Sequence, residues 1–364
     1  MDPRIREHAE IVADAIDLSE GDDVVVVAPP AAEDLVVALN ELVGDAGAQP
    51  LNLFTHRGGR SWRAYLRAVD PDELQTPDHR TAMVEACDAY VLIKGDENVS
   101  DFGDVSPETM TAFDRAHGEI LDERLSKKWT LTQYPVPGNA QIAEMSTEAY
   151  ENFVWDAILK DWDAVEAHQA QMVEIMDEAD EVHIVSGDTT DVRMSVAGNP
   201  TINDCGTNNL PAGEVFTAPV PDSVEGEVLF DKPLYHRGNE VLGAWVRFEN
   251  GEVVEHSAEK NEDVLTGILE TDDGARRLGE LGIGMNRDID RFTYNMLFDE
   301  KMGDTVHMAL GRAYGETVGE GNEQNQSAQH VDMIVDMSED SYIEIDGEIV
   351  QRNGTFRFED GFEG

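Results

Sequence analysis

DDVVVVAPP, residues 22–30, runs through four consecutive valines and stops at two prolines. An unbroken apolar run of this kind reads as a strand buried on both faces, because a half-buried strand would alternate apolar and polar residues. The prolines close it, since neither can donate a ladder hydrogen bond. Apolar residues at helical spacing precede it in IREHAEIVADAI (5–16) and follow it in EDLVVALNELVGDAG (33–47). QPLNLF (49–54) then reads as a strand, TAMVEACDA (81–89) as a helix and YVLIKG (90–95) as another buried strand. Helix and strand in turn predict an N-terminal α/β domain with a parallel sheet covered on both faces. The turn after the first strand, APPAAED (28–34), lacks glycine. It therefore carries no dinucleotide fingerprint, which argues against a nicotinamide or flavin dehydrogenase.

Residues 146–178 read as one long helical stretch bridging two domains, 1–178 and 179–364. Beyond it the pattern becomes strand-rich. EVHIVSG (181–187), TDVRMSVAG (190–198), DTVHMALG (304–311), HVDMIVD (330–336) and YIEIDGEIVQRNG (342–354) read as strands. GAWVRFENGEVVEHSA (243–258) reads as a hairpin turning at Asn250-Gly251. EDVLTGILE (262–270) and DDGARRLGE (272–280) read as short helical windows, giving an α+β C-terminal domain.

The chain has 364 residues, 76 of them acidic against 26 basic, for a formal charge of −50. The acid is spread along the chain and coexists with a full apolar pattern, so a disordered tail does not account for it. Nucleic-acid binding needs a basic footprint, and no cluster of Lys or Arg supplies one. An acidic folded surface of this kind suits high salt, and the expectation is a halophile's cytoplasmic protein. Two cysteines, Cys87 and Cys205, make no disulfide framework and suit a reducing compartment. The opening MDPRIREHAE carries no apolar signal segment, and no run reaches membrane-spanning length.

Histidine is scarce. His8, His117 and His168 fall on helical stretches that look solvated, and His183 lies inside a strand. His307 and His330 stand in short strands among small or apolar residues, as core histidines or as metal ligands. His330-x-Asp332 puts an imidazole and a carboxylate on one strand face. Glu280, between Gly279 and Leu281, is not easily a solvated carboxylate; Glu300 reads either as a site residue or as a helix-end partner of Lys301. Imidazoles and carboxylates without thiolates suit Zn, Co or Mn in a paired-metal site.

The chain resembles the thermophilic-type metalloaminopeptidases of family M29. The resemblance is carried by KKWTLTQYPVPGNAQIAEMS (127–146), NNLPAGEVFTAP (208–219), GARRLGELGIGMN (274–286), LFDEKMGDTVHMALGRAY (297–314) and NQSAQHVDMIVDM (325–337), in that order. It implies two divalent ions held by Glu214, Glu280, His307, His330 and Asp332, with Glu214 the bridge. It implies catalysis by Tyr314 and by Glu280 as proton shuttle, with Glu300 in reserve. The activity implied is removal of N-terminal residues from peptides with a free N-terminus, by a hydroxide held between the ions, in a homodimer. The acidic segment GETVGEGNEQNQ (315–326) departs from the family's pattern, which bears on substrate preference. The rival readings are another binuclear hydrolase, an amidase or phosphoesterase, or a non-catalytic metal- or peptide-binding protein. A phosphoesterase would need a basic residue for phosphate, and Arg312 is the one read beside His307.

The charge generates the first prediction. At molar salt the Debye length is about 3 Å, so repulsion among surface carboxylates is screened. The thermal midpoint should climb steeply with KCl into the molar range; a midpoint indifferent to KCl would contradict a salt-adapted surface.

Overall fold

The computed structural model describes residues 2–54, 59–236 and 238–364. The chain divides into two compact units, Met1–Lys160 with Gly206–Pro211, and Asp161–Cys205 with Ala212–Gly364.

In the first unit, helix α1 (Pro3–Ala15) is capped by Asp2, whose carboxylate accepts from the Arg4 amide. Strand β1 (Asp23–Ala28) buries all four valines. Helix α2 (Glu33–Ala46) ends at Gly47, which takes the left-handed conformation (φ +79°) that a helix C-terminus favours and that suits glycine. Strand β2 (Gln49–Phe54), helices α3 (Arg60–Leu66) and α4 (Asp78–Ala86), strand β3 (Ala89–Lys94), helix α5 (Pro107–Leu125) and strand β4 (Lys128–Gln133) follow. Helices α6 (Pro137–Ile142) and α7 (Thr147–Ile158) complete this part of the chain. The sheet runs β2-β1-β3-β4 and is wholly parallel, as the valine run requires.

Histidine 8 corrects its sequence reading. It is fully buried on α1, with Nε2 2.7 Å from Thr132 Oγ1 and its ring edge-on to Trp155. Burial lowers its pKa to about 3, so it is a neutral core residue.

The long helical stretch is also corrected. It breaks after α7, and helix α8 (Trp162–Asp177) restarts where the Asp161 carboxylate accepts from the Ala164 amide. A helix-starting cap in mid-pattern outweighed the continuous apolar spacing. The boundary between units falls at this break, and α8 packs Met172 and Met176 into the core of the second unit.

Among the described residues that unit contains two large antiparallel sheets and a separate two-stranded antiparallel ribbon, Leu234–His236 with Asn239–Val241. Strands β5 (Glu181–Ser186), β6 (Thr190–Ser195) and β7 (Ile202–Asp204) lead to β8 (Asn209–Leu210), which pairs with β4 and adds a fifth strand to the parallel sheet. Strands β9 (Glu214–Thr217), β10 (Glu225–Phe230), β11 (Leu234–His236), β12 (Asn239–Val241), β13 (Ala244–Glu249) and β14 (Glu252–Ser257) come next. Asn250 and Gly251 both have positive φ in the β13–β14 turn, as a type I′ hairpin requires. After helix α9 (Glu262–Leu269), the second helical window proves to be a single 3-10 turn, Asp273–Arg276, followed by strand β15 (Leu278–Gly284). Asp272 caps that turn, and the alternation beyond it has period two, which a helix cannot satisfy. Helix α10 (Met296–Asp299) and strands β16 (Thr305–Gly311), β17 (His330–Asp336), β18 (Ser341–Ile345), β19 (Glu348–Arg352) and β20 (Thr355–Phe356) complete the chain.

The larger sheet runs β14-β13-β10-β6-β5-β18-β19-β20, and the smaller β17-β16-β15-β9-β7. One continuous apolar core includes Val192, Val228, Val246 and Ile343 from the larger sheet and Leu281, Ile283, Val306, Met308, Val331 and Met333 from the smaller. Among the described residues, no helix is long and apolar enough to cross a membrane.

Candidate metal centre

The smaller sheet has one apolar face, and its other face holds the chemistry. Along β15, Leu281 and Ile283 enter the core, so Glu280, Gly282 and Gly284 point the other way. Along β16, Val306, Met308 and Leu310 enter the core and leave His307 and Ala309 opposite; along β17, Val331, Met333 and Val335 do the same for His330 and Asp332. Register brings these residues side by side. Glu280 pairs with Ala309, which pairs with Asp332, while Gly282 pairs with His307 and Gly284 with Glu214. All five residues that the sequence analysis assigned as ligands therefore lie on one sheet face. The glycines leave the space: a Cβ on Gly282 would sit 2.0 Å from His307 Cε1 and 2.1 Å from its Nε2.

His307 Nε2 lies 3.1 Å from Glu280 Oε1 and 3.4 Å from Glu214 Oε2. His330 Nε2 lies 3.4 Å from Asp332 Oδ1. On its other side, His330 Nδ1 is 2.7 Å from the Arg312 carbonyl. A carbonyl only accepts, so Nδ1 carries the proton and Nε2 is left as the donor atom a metal would use. One ligand atom each from Glu280, His307 and Asp332 lies within 4.8 Å of the others. Glu214, Glu280 and His307 are buried. Glu214 Oε2, Glu280 Oε2 and Asp332 Oδ1 are shielded from water with no hydrogen-bond partner among the described residues. An ionised carboxylate removed from water costs several kcal/mol unless a cation compensates it. These orphaned oxygens, with two imidazoles and no thiolate, fit divalent metal ions.

Sequence reasoning missed one buried cation. Lys301 has no exposed surface, and its Nζ lies 2.9 Å from Glu214 Oε1 and 3.8 Å from Asp204 Oδ2. It also pairs with Glu300 Oε1, as a helix-end reading of Glu300 expects. Burial works against its charge, but the carboxylates of Glu214, Glu300 and Asp204 outweigh that and raise its pKa well above the ordinary value. Asp204, opposite Glu214 in the β7–β9 pairing, was also not singled out. The one local signal for burial was the apolar flank of Phe298 and Met302 around Glu300-Lys301.

Tyr314 stands at the cluster's edge, its ring centroid 4.8 Å from that of His330, with 38% of the residue exposed. Exposed though the residue is as a whole, loss of water around the hydroxyl and the carboxylates of Glu280 and Asp332 raise its pKa, so it keeps its proton. Burial raises Glu214 and Glu280 above the usual carboxylate range. Asp332 goes the other way: burial opposes its charge, but His330 and His307 outweigh it and hold it at about 2. Burial likewise opposes charge on the imidazoles. The Glu280 hydrogen bond and neighbouring carboxylates still raise His307 to about 9, and Asp332 leads those that raise His330 to about 10.

Residues 1–356 match the family model described as thermophilic metalloprotease (M29). Aminopeptidase T of Thermus aquaticus is 30% identical, with 91% of each chain covered. Aminopeptidase AmpS of Bacillus subtilis (strain 168) is 30% identical over 70% of this chain and 73% of its own. The solved structure of wild-type AmpT from Thermus thermophilus superposes with a TM-score of 0.85 at 26% identity, covering 98% of this chain and 99% of that one. A 2,5-dihydroxypyridine dioxygenase from Pseudomonas putida KT2440 gives a TM-score of 0.62 at 14% identity over 99% of both chains, a likeness of fold alone.

Metal binding should be linked to protons. Without metal, His307 and His330 are charged below pH 9 and 10 respectively, and each must be neutral to donate to a metal. Binding at pH 7.5 should therefore expel protons, and affinity should rise with pH up to that range. Calorimetric titration in two buffers of different ionisation enthalpy reads the release directly. Heats that do not depend on the buffer would contradict it.

Proposed function

We propose, from the premise that the chain belongs to the thermophilic metalloprotease family M29, that this metal-dependent aminopeptidase works through two divalent ions held by Glu214, Glu280, His307, His330 and Asp332. The observation that carries this reading is the convergence of these five donors on one buried sheet face, with carboxylate oxygens left unpartnered. Charge supports the number two. Asp204, Glu214, Glu280, Glu300 and Asp332 bring five carboxylates against the single ammonium of Lys301, which leaves four negative charges. With neutral imidazoles, two divalent ions balance them.

Such ions, when bound, supply a water acidified to near neutrality and polarise the carbonyl under attack. The protein's own groups do the rest. The Arg312 carbonyl fixes the tautomer of His330, and Asp332 stands beside its free nitrogen. Tyr314, protonated and at the exposed edge, donates its hydroxyl hydrogen to the oxyanion that develops on the substrate carbonyl. Glu280 is the proton shuttle to the leaving amine, with Glu300 the alternative carboxylate. Glu300 is half-buried and tied to Lys301, so it can serve without leaving a metal.

Zn, Co and Mn all suit this donor set. Cys87 and Cys205 are free thiols, in keeping with a reducing, cytoplasmic setting, and the charge of −50 supports a salt-rich one. The family resemblance supports, as part of this proposal, a homodimer and a free peptide N-terminus as the recognised feature. A phosphoesterase reading gains nothing from Lys301, whose ammonium is already engaged by three carboxylates.

Two experiments test the reading. A site that binds the substrate's terminal amine leaves its own partners unpaired when that amine is acylated, a loss that can reach about 10⁴-fold. Short peptides in molar KCl with metal present should release residues singly from the N-terminus, and their N-acetylated versions should not turn over. Cleavage of acetylated peptides at internal bonds would make the protein an endopeptidase. Second, Tyr314→Phe should keep its full metal content and lose kcat and kcat/KM together, the signature of an interaction made only in the transition state. An unchanged kcat would make Tyr314 structural.

A further inference from the structure

The two oxygens of Glu214 are not equivalent. Its main chain is pinned: Gln169 Nε2 donates to the Glu214 carbonyl at 3.1 Å and to the Asp204 carbonyl at 3.0 Å, and the Gly213 amide donates to the same Asp204 carbonyl at 3.0 Å. Gly213 itself has φ +115°, and a Cβ there would meet Asn286 Cβ at 2.6 Å, so this approach to β9 has little freedom. From that fixed backbone, Oε1 reaches Lys301 Nζ at 2.9 Å, while Oε2 lies 3.4 Å from His307 Nε2 and has no hydrogen-bond partner among the described residues.

We propose that Lys301 is a positioning residue of the metal centre: by holding Oε1 of Glu214 it turns Oε2 alone toward the ions, so that Glu214 meets them through one oxygen and not through one oxygen per ion. The inference rests on the two-ion reading above. Lys301 suits the task because it is wholly buried and because its ammonium also pairs with Glu300 and Asp204, which restrains it beside Glu214.

Two variants separate position from charge, with metal affinity as the readout. Lys301→Met keeps length and removes the ammonium. Lys301→Met combined with Asp204→Asn removes the ammonium and one carboxylate together and so keeps the local charge balance. Groups that orient a metal ligand are worth about 10–100-fold in affinity. Calorimetric titration of metal-stripped protein with Zn should therefore show binding at least about tenfold weaker in the single variant, with no recovery in the double. Wild-type affinity in the single variant, or full recovery in the double, would overturn the proposal. If the variants do not fold, a crystal structure of the Zn-loaded wild-type protein decides. It should show Lys301 Nζ on Oε1, with Oε1 outside the roughly 2.0–2.2 Å reach of a Zn–carboxylate bond. An ion bound to Oε1 would overturn the role of Lys301, whereas a loaded protein with fewer than two ions on this face would overturn the two-ion reading instead.

Discussion

Five carboxylates gathered around one sheet face with a single lysine are far from electrical balance, and the second unit is organised around that imbalance. Buried charge of one sign is costly unless cations share the space. The metal-free protein answers in part by holding His307 and His330 protonated. On the proposed reading, two divalent ions would answer it fully and would leave the imidazoles neutral to bind them. Close approach of neighbouring groups explains the glycines of β15. The strand carries three glycines in seven residues, a weak choice for a strand by itself. It is tolerated because the His307 ring lies where a Gly282 side chain would be.

The surface acid and the site acid are physically different. Most of the 76 acidic residues support a charge of −50 that salt can screen. The carboxylates of Glu214 and Glu280 are beyond the reach of mobile ions and answer only to fixed neighbours and to what binds them. Salt would screen the first kind of charge and only a bound cation would balance the second. The fold does not choose between chemistries: a dioxygenase shares it at 14% identity. The aminopeptidase reading stands on family membership and on the donors of this face.

Much of this was legible in the sequence, for a definite reason. Val24–Val27 announced a doubly buried strand, and TVHMALG and HVDMIVD alternate so that each puts its polar residues on one face, whereas the start of LGELGIG lay hidden in a window read as helical. Which strands pair, and in what register, is a tertiary matter; the family resemblance, rather than periodicity, supplied Glu214 as their companion. Lys301 was not legible. Beside Glu300 it looks like half of a solvated pair, and only Glu214 and Asp204, distant along the chain, reveal it as a buried cation. The break at Leu159–Asp161 and the burial of His8 were missed because local periodicity does not register a cap in mid-pattern or a tertiary neighbour such as Trp155.

Whether this sheet face holds two divalent ions can be counted by equilibrium dialysis of metal-stripped protein against Co²⁺ in molar KCl, with bound metal and protein quantified in the same sample. Saturation is expected at two equivalents per chain. Saturation at one, or no binding by protein shown to be folded, would contradict it.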